Sequence, residues 1–189
     1  MEISMNKNEM RKKYLSLRKQ LPKEELSAKS EQILSALLSS DAIKNAKTVM
    51  LYISYNQEVD THPLITALKN AGKNVCAPIC DTDTCEMTAY YIDGFNSLVS
   101  GAYGILEPKP ENKANEEDID CVIVPGCVFG RNFARIGYGK GYYDRFLPKA
   151  KNAVKIGLCY DFSLVDEVSA DRYDAYVDII VTEKEVLIK

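Results

Sequence analysis

Four largely apolar runs constrain the fold of this 189-residue chain more than any other feature. They cover residues 48–53, 121–125, 154–160 and 177–181, and shorter strands are expected near residues 74–78 and 86–92. A run that stays apolar, instead of alternating with polar residues, is typical of a strand buried on both faces of a parallel sheet. The chain therefore predicts an α/β fold: a single three-layer α/β/α domain over residues 1–189, with a mostly parallel, Rossmann-like central sheet.

Helical patterns precede and separate these runs. Apolar residues recur at helical spacing from Met10 to Leu21, which predicts an amphipathic helix near residues 5–20 that ends before Pro22. A second helix follows, so two helices are expected before the first strand; its buried side is predicted to comprise Leu26, Ile33, Leu34, Leu37 and Leu38. Asp60 or Thr61 can cap a further helix that ends near residue 72.

Charge and segment pattern exclude several classes of protein. A net charge of -3 and a pI near 5.3 argue against a general nucleic-acid or membrane-surface role, since such roles usually need a basic face. No apolar run reaches the length of a membrane span, and the N-terminal segment lacks the apolar stretch of a secretory signal. A cytoplasmic protein is therefore expected.

The six cysteines and the single histidine do not form a pattern typical of a metal site or of disulfides. There is no CxxC pair, and a reducing compartment disfavours disulfides. Cys76, Cys121 and Cys159 lie in apolar runs, where free cysteine behaves as a small buried hydrophobe. His62 is expected in the first turn of a helix, and a metal site with two histidines is impossible.

Residues 135–145 read RIGYGKGYYDR and combine several features of a phosphate-binding loop. Glycines at positions 137, 139 and 141 let the backbone bring N–H groups close to an anion. Arg135, Lys140 and Arg145 add positive charge, and Asp144 adds a carboxylate suited to Mg²⁺ beside phosphates. The loop follows a predicted strand and precedes a predicted helix at residues 142–147, which is where open α/β sheets bind anions.

Spacing alone leaves these features open to more than one interpretation. The loop lacks both the G-x-G-x-x-G and the G-x-x-x-x-G-K-[ST] patterns, so a glycine-rich surface turn with solvated charges is an alternative. Lys7, Arg11 and Arg18 could likewise form an ordinary solvated helix face. Glu58 is expected at the carboxyl end of a strand, where such folds bind ligands. Several carboxylates in residues 166–178 could join Asp144 at a cation, and spacing does not choose among them.

Taken together, the chain resembles the 5-formyltetrahydrofolate cyclo-ligase family, also called methenyltetrahydrofolate synthetases. The resemblance covers the N-terminal basic helix, residues 58–61 (EVDT), residues 104–108 (GILEP), the long segment 125–147 and residues 174–183. It implies an enzyme that uses ATP and Mg²⁺ to convert 5-formyltetrahydrofolate to 5,10-methenyltetrahydrofolate, with release of ADP and phosphate. In the family, the formyl oxygen is phosphorylated and N10 then attacks the activated formyl carbon.

The resemblance also implies roles for individual residues. The implied ATP-binding set is Lys7, Arg11, Arg135, Ile136, Gly137, Tyr138, Gly139, Lys140, Gly141, Tyr142 and Tyr143. The implied folate-binding set is Ile53, Glu58, Tyr138, Gly139, Lys140, Gly141 and Tyr142. Arg135, Lys140 and Tyr142 are the implied catalytic residues, and Asp144 and Asp174 are the implied Mg²⁺ ligands. The partners are then ATP and 5-formyltetrahydrofolate, with or without a polyglutamate tail, and a monomer is expected.

The sequence departs from the family pattern at three positions. Gly130 stands where aspartate is usual, Phe133 where glycine is usual, and Tyr173 where histidine is frequent. Because the first two lead into Arg135, a folate- or nucleotide-binding protein that has lost catalysis is an alternative to an active ligase. An RNA-binding surface made from the basic helix and the glycine loop is a third hypothesis, which the acidic charge balance disfavours.

Overall fold

The computed structural model describes residues 5–101 and 104–189, and within them it contains five α-helices and twelve β-strands. The helices are α1 (Lys7–Gln20), α2 (Lys23–Ser39), α3 (Asp41–Asn45), α4 (His62–Asn70) and α5 (Tyr142–Phe146). The strands are β1 (Thr48–Met50), β2 (Asn74–Cys80), β3 (Met87–Ile92), β4 (Val99–Ser100), β5 (Leu106–Glu107), β6 (Cys121–Val124), β7 (Val128–Gly130), β8 (Arg135–Ile136), β9 (Val154–Leu158), β10 (Leu164–Val165), β11 (Ile179–Val181) and β12 (Val186–Ile188).

A seven-stranded sheet in the order β12-β11-β9-β6-β1-β2-β3 organises the chain. The five inner strands run parallel, whereas β12 and β3 pair antiparallel at the two edges. Strand β6 occupies the centre, and all four of its residues are buried, as its continuous apolar run predicts. The prediction of a mixed α/β fold with a large, mostly parallel sheet is confirmed.

Two hydrophobic clusters cover the two faces of the sheet, because side chains alternate along each strand. On one face, Val49 and Ile123 pack with apolar residues of α2, α3 and α4. On the other face, their neighbours Met50 and Val122 pack with Phe146 of α5. The carboxyl ends of the parallel strands therefore meet at one edge, which is where the loops after β1, β2 and β6 come together.

Two local predictions are wrong. Three helices rather than two precede β1, because the hydroxyl of Ser40 caps a separate α3 by accepting the N–H of Ile43 at 3.3 Å. Strand β1 is also shorter than the apolar run at residues 48–53, since it ends at Met50. Leu51 and Ile53 are nevertheless buried, so apolarity there reports burial rather than strand pairing.

The start of α4 and the state of the cysteines are closer to what the sequence predicts. Of the two predicted caps, Thr61 occupies the N-cap position but makes no side-chain cap bond, and Asp60 accepts the N–H of His62 at 3.0 Å. All six cysteines are free thiols, and burial raises the pKa of Cys76 to about 12. Among the described residues, no helix is long and apolar enough to span a membrane, and no group of three His, Cys, Asp or Glu could hold a metal.

A second sheet, β10-β7-β8, adds an element that the sequence did not predict. Its β7–β8 hairpin leads into the glycine-rich segment 137–141. The hairpin turns at residues 131–133, where the Phe133 N–H donates to Gly130 O at 2.8 Å and the Gly130 N–H donates to Ala134 O at 2.9 Å. Phe133 has a φ of +64°, the left-handed conformation that this type of hairpin requires and that favours glycine. The turn thus keeps the conformation suited to the family's usual glycine although the residue is phenylalanine.

Candidate active site

A cleft of about 500 Å³ opens at the carboxyl ends of β1, β2 and β6. Ile53 and Glu58 line it from the segment after β1, and Cys80 lines it from the end of β2. The glycine loop, defined here as residues 137–141, forms another wall, directly before α5. The cleft therefore lies where the topology of a parallel α/β sheet predicts a ligand site.

The glycine loop is held through its carbonyl groups. Gly139 and Gly141 have φ values of +97° and +70°, which a residue with a side chain rarely adopts. Arg11 Nε donates to Gly137 O at 2.7 Å, and Arg145 Nη2 donates to Lys140 O at 2.6 Å. The N–H groups of residues 137–141 donate to no acceptor within residues 5–101 and 104–189. Consecutive unpaired N–H groups of this kind are suited to binding an anion.

Arg135 lies beneath the glycine loop. Its side chain is only 4% exposed, and its Nη2 donates to Asp144 Oδ1 at 2.8 Å. Burial lowers the pKa of Arg135, although the negative charge of Asp144 opposes that change. Arg135 Nε and the hydroxyl of Tyr143 are buried without a hydrogen-bond partner in the described part of the chain. Both residues line the cleft, although these two atoms are themselves buried.

Lys7 is the first residue of α1, and its side chain lines the cleft. Asn6 caps α1 in a capping box, accepting the N–H of Glu9 at 3.0 Å while Glu9 accepts the N–H of Asn6 at 2.9 Å. This cap fixes the start of the helix and with it the position of Lys7. The Lys7 ammonium pairs with Asp171 at 2.5 Å and with Asp174. All three of these charged residues line the cleft.

Glu58 is presented by a tight turn after β1. Its N–H donates to Tyr55 O at 3.1 Å, and Asn56 and Gln57 have φ values of +48° and +61°. Two successive positive φ values define a type I′ turn, and the left-handed conformation at a glutamine costs backbone strain. Desolvation raises the pKa of Glu58, although the hydroxyl of Tyr138, the N–H of Tyr55 and the charge of Arg18 all oppose it.

Almost all predicted site residues meet in this one cleft. Every residue predicted for ATP, folate or metal binding lines it except Arg11, which contacts the glycine loop through Gly137 O. Lys140 lines the cleft, and its ammonium has no hydrogen-bond or ion-pair partner among the residues described. The hydroxyl of Tyr142 donates to Asp81 O at 3.4 Å. This common location agrees with the predicted roles, which stay predictions.

The carboxylates of Asp144 and Asp174 fit a Mg²⁺ ion that takes most of its ligands from phosphates and water. Asp144 Oδ1 accepts from Arg135 and from the N–H of Ala175 at 3.1 Å, and Asp174 Oδ2 accepts from Lys7. Each carboxylate therefore has a second oxygen for which no donor occurs in the described residues. One or two carboxylates beside a polyphosphate are an ordinary ligand set for Mg²⁺.

Gly130 and Phe133, the two departures from the family pattern that precede Arg135, lie outside the cleft. A Cβ on Gly130 would come within 2.2 Å of Asn132 Oδ1 and 2.7 Å of the Val168 N atom. The Asn132 amide fills this space and donates to Val168 O at 2.9 Å, so it occupies the position from which an aspartate side chain would extend. Neither Gly130 nor Phe133 lines the cleft.

Sequence reasoning missed several parts of the cleft. Cys80, Thr82, Leu106 and Glu107 complete its wall from the ends of β2 and β5. Arg145 was expected to add charge to the anion site, but its guanidinium binds the carbonyls of Lys140 and Cys85 instead. The strand ends could have been inferred from the topology, whereas the orientation of Arg145 depends on the β2–β3 hairpin, 60 residues away in the chain.

The fold and the cleft define a class of protein: a mostly parallel α/β protein whose cleft combines a glycine-rich loop with a desolvated carboxylate. The sequence matches the model of the 5-formyltetrahydrofolate cyclo-ligase family over residues 3–183, and the chain belongs to this family. It is 30% identical to the probable 5-formyltetrahydrofolate cyclo-ligase of Schizosaccharomyces pombe, with 98% of each chain covered. It is 34% identical to the 5-formyltetrahydrofolate cyclo-ligase of Mycoplasma genitalium, with 94% of this chain and 98% of that one covered.

Solved structures agree with the sequence comparison. The 5,10-methenyltetrahydrofolate synthetase of Aquifex aeolicus superposes with a TM-score of 0.87 at 38% identity, covering 97% of this chain and 93% of that one. A synthetase of the same name from Mycoplasma pneumoniae gives a TM-score of 0.76 at 28% identity, covering 95% of this chain and 99% of that one. The predictions of the family and of an enzyme are confirmed.

Proposed function

We propose that this chain catalyses the ATP- and Mg²⁺-dependent conversion of 5-formyltetrahydrofolate to 5,10-methenyltetrahydrofolate, with release of ADP and phosphate. One observation carries the proposal: the unpaired N–H groups of the glycine loop and the carboxylate of Glu58 line the same cleft. An anion site and an acceptor for a polar ring are the two features that a reaction between ATP and a folate needs. The names of the relatives support the same activity.

The proposed reaction has two steps. The formyl oxygen attacks the γ-phosphorus of ATP, the bond from that phosphorus to the bridging oxygen breaks, and ADP leaves. N10 then attacks the formyl carbon, its proton is released, and the carbon–oxygen bond breaks so that phosphate leaves with the former formyl oxygen. A formamide oxygen is a weak nucleophile, so the main task of the protein is to align it with the γ-phosphate and to stabilise charge on the transferring oxygens.

The glycine loop would bind the polyphosphate. Its N–H groups face no competing protein acceptor in the described chain, and Lys140 supplies a positive charge without a protein counterion there. Lys7 and Arg135 add charge at the same cleft, and Arg11 holds the loop from behind. Tyr142 lines the cleft at the start of α5, where it would position the formyl group. Asp144 and Asp174 would hold Mg²⁺, which when bound neutralises charge on the phosphates.

Glu58 and Ile53 would bind the folate. The pterin ring presents an amino group and a ring N–H, and a carboxylate accepts both. Ile53 is 6% exposed and provides an apolar contact next to that edge. Tyr138 contacts Glu58 from the glycine loop, so the folate and ATP sites would share this residue.

We favour an active ligase over the alternative of a catalytically impaired binding protein. That alternative is motivated by Gly130 and Phe133, and both lie in the β7–β8 hairpin and do not line the cleft. We further propose that residues 1–189 act as one Rossmann-like, three-layer domain, since the seven-stranded sheet takes strands from β1 through β12. A cytoplasmic location, a monomeric state and acceptance of a polyglutamate tail stay predictions.

The test is turnover by the purified chain with Mg·ATP and 5-formyltetrahydrofolate. We expect the absorbance of the methenyl product to rise and ADP to form in equal amount. Asp144→Asn should lower turnover by about tenfold or more, because a charged ligand beside the phosphates is lost. Asp83→Asn, at an exposed loop position, is the matched control. No product from the wild-type protein would contradict the proposal.

A further inference from the structure

Arg18 is the one buried residue of α1, and it lies outside the cleft. It is 7% exposed and lines a separate cavity of about 10 Å³ behind Glu58. A buried guanidinium needs an acceptor and a countercharge, because transfer of an unpaired charge from water is costly. The Tyr138 hydroxyl accepts from Arg18 Nη2 at 3.0 Å. No other side chain in residues 5–101 and 104–189 accepts a hydrogen bond from Arg18.

The donor chemistry gives this contact a direction. A guanidinium only donates hydrogen bonds, so the Tyr138 oxygen must act as the acceptor towards Arg18. The single hydroxyl proton of Tyr138 is then left for Glu58 Oε1, which is 2.5 Å away. Glu58 Oε2 accepts the N–H of Tyr55 at 2.9 Å. Each oxygen of Glu58 thus has one fixed protein donor, and the remaining lone pairs are available to a ligand.

We infer that Arg18 is a positioning residue for folate: it acts through the Tyr138 hydroxyl to hold the Glu58 carboxylate in the orientation that binds the pterin. This inference rests on the proposed function, because it assigns folate to the Glu58 side of the cleft. Arg18 does not line the cleft, so its hydrogen-bonded connection to the folate side runs through Tyr138, and its positive charge adds a smaller direct effect on Glu58. Tyr138 belongs to the glycine loop, so the same contact fixes that loop relative to the folate site.

The charges around Glu58 support this role. Desolvation raises the pKa of Glu58, and the Tyr138 hydroxyl, the Tyr55 N–H and the positive charge of Arg18 oppose it in that order. The Arg18 guanidinium also lies 5.9 Å from the centre of the Tyr138 ring, within reach of a cation–π contact. Loss of the guanidinium would therefore both release the Tyr138 hydroxyl and weaken the charged form of Glu58.

A double-mutant cycle on folate binding tests the inference without requiring turnover. Calorimetry would measure binding of 5-formyltetrahydrofolate to the wild type, Arg18→Met, Tyr138→Phe and the double variant. We expect Arg18→Met to weaken binding about tenfold in the wild-type background, as for loss of a hydrogen bond to a charged group. Its effect should be clearly smaller in the Tyr138→Phe background, where only the direct effect of the Arg18 charge on Glu58 is lost. Lys19→Met, an exposed change on the same helix, should bind as the wild type does.

Two further measurements separate positioning from folding. If Arg18→Met does not fold, Arg18→Lys replaces it in the same cycle, since it keeps the charge but not the planar donor set. In steady-state assays, Arg18→Met should raise KM for folate more than KM for ATP. Unchanged folate binding in the Arg18 variant, or equal weakening in both backgrounds, would overturn the inference. Folate binding by the wild type without product formation would instead contradict the proposed function alone.

Discussion

Two residues in segments that lead to the cleft adopt backbone conformations that their own side chains disfavour. Gln57 and Phe133 have positive φ values, one in the turn that presents Glu58 and the other in the hairpin that leads into the glycine loop. Such conformations cost of order 1–3 kcal/mol and persist only where surrounding contacts enforce them. Gln57 directly precedes Glu58, and Phe133 lies in the hairpin that precedes the glycine loop. We therefore interpret the strained backbone at both positions as a cost of placing the groups that line the cleft.

Phe133 allows that strain to be measured. Phe133→Gly and Phe133→Ala both remove a partly buried ring, so they differ chiefly in their preference for a φ of +64°. We expect the glycine variant to be the more stable of the two by about 1 kcal/mol in urea denaturation. The same pair at Phe95, which starts a 3₁₀ turn, should show the opposite order. An alanine variant at 133 as stable as the glycine variant would contradict this explanation.

Ionised Glu58 should lower the folding stability of the protein and strengthen its binding of folate. Its pKa is raised in the folded chain, so its contribution to stability is present below its ordinary pKa and is lost as pH rises through the folded pKa. The stability of Glu58→Gln relative to the wild type should therefore improve as pH rises from about 4 to 7. Folate binding by this variant should weaken about tenfold or more. Thermal denaturation across this pH range checks the first effect, with the exposed Glu117→Gln as control; a difference independent of pH would contradict it.

At the level of elements, three segments hold the glycine loop in place. Helix α1 contacts it through Arg11, and the β2–β3 hairpin contacts it through Arg145, whose Nε and Nη2 donate to Cys85 O at 2.9 Å and 2.6 Å. The β7–β8 hairpin leads into it and ends at Ile136. The conformation of the loop therefore depends on contacts made by these elements as well as on its own glycines.

Arg145 tests the contribution of the β2–β3 hairpin. Arg145→Met should raise KM for ATP severalfold, because it releases Lys140 O and Cys85 O together. The free energy of unfolding should change by less than about 1 kcal/mol, since Arg145 is exposed. Lys149→Met is a close control, because Lys149 bonds Glu86 of the same hairpin at 3.2 Å without touching the glycine loop. Identical kinetics of the two variants would remove the assigned role.

Across the whole molecule, residues far apart in sequence form the site. Lys7 pairs with Asp171 across 164 positions, and Arg18 reaches Tyr138 across 120. The apolar runs predicted the sheet because burial on both faces is a local property of a strand. They could not predict the β10-β7-β8 sheet, whose short strands pair across the chain.

The candidate site was predictable to a similar degree and for a similar reason. Glycines and charged residues concentrated in one loop indicated an anion site, and the family resemblance added Glu58 and Asp174. The burial of Arg18 was not predictable, because only the fold decides that its guanidinium lies against Tyr138 rather than in solvent. Helix spacing placed Arg18 near Lys7 and Arg11 but gave no reason to separate it from a solvated face.

In the proposed reaction, folate and ATP meet in one cleft and the formyl oxygen receives the γ-phosphate. An isotope measurement tests it most directly, using 5-formyltetrahydrofolate labelled with ¹⁸O in the formyl group. Mass spectrometry of the phosphate released during turnover should find the label there, in an amount equal to the methenyl product. Unlabelled phosphate accompanying that product would contradict phosphorylation of the formyl oxygen.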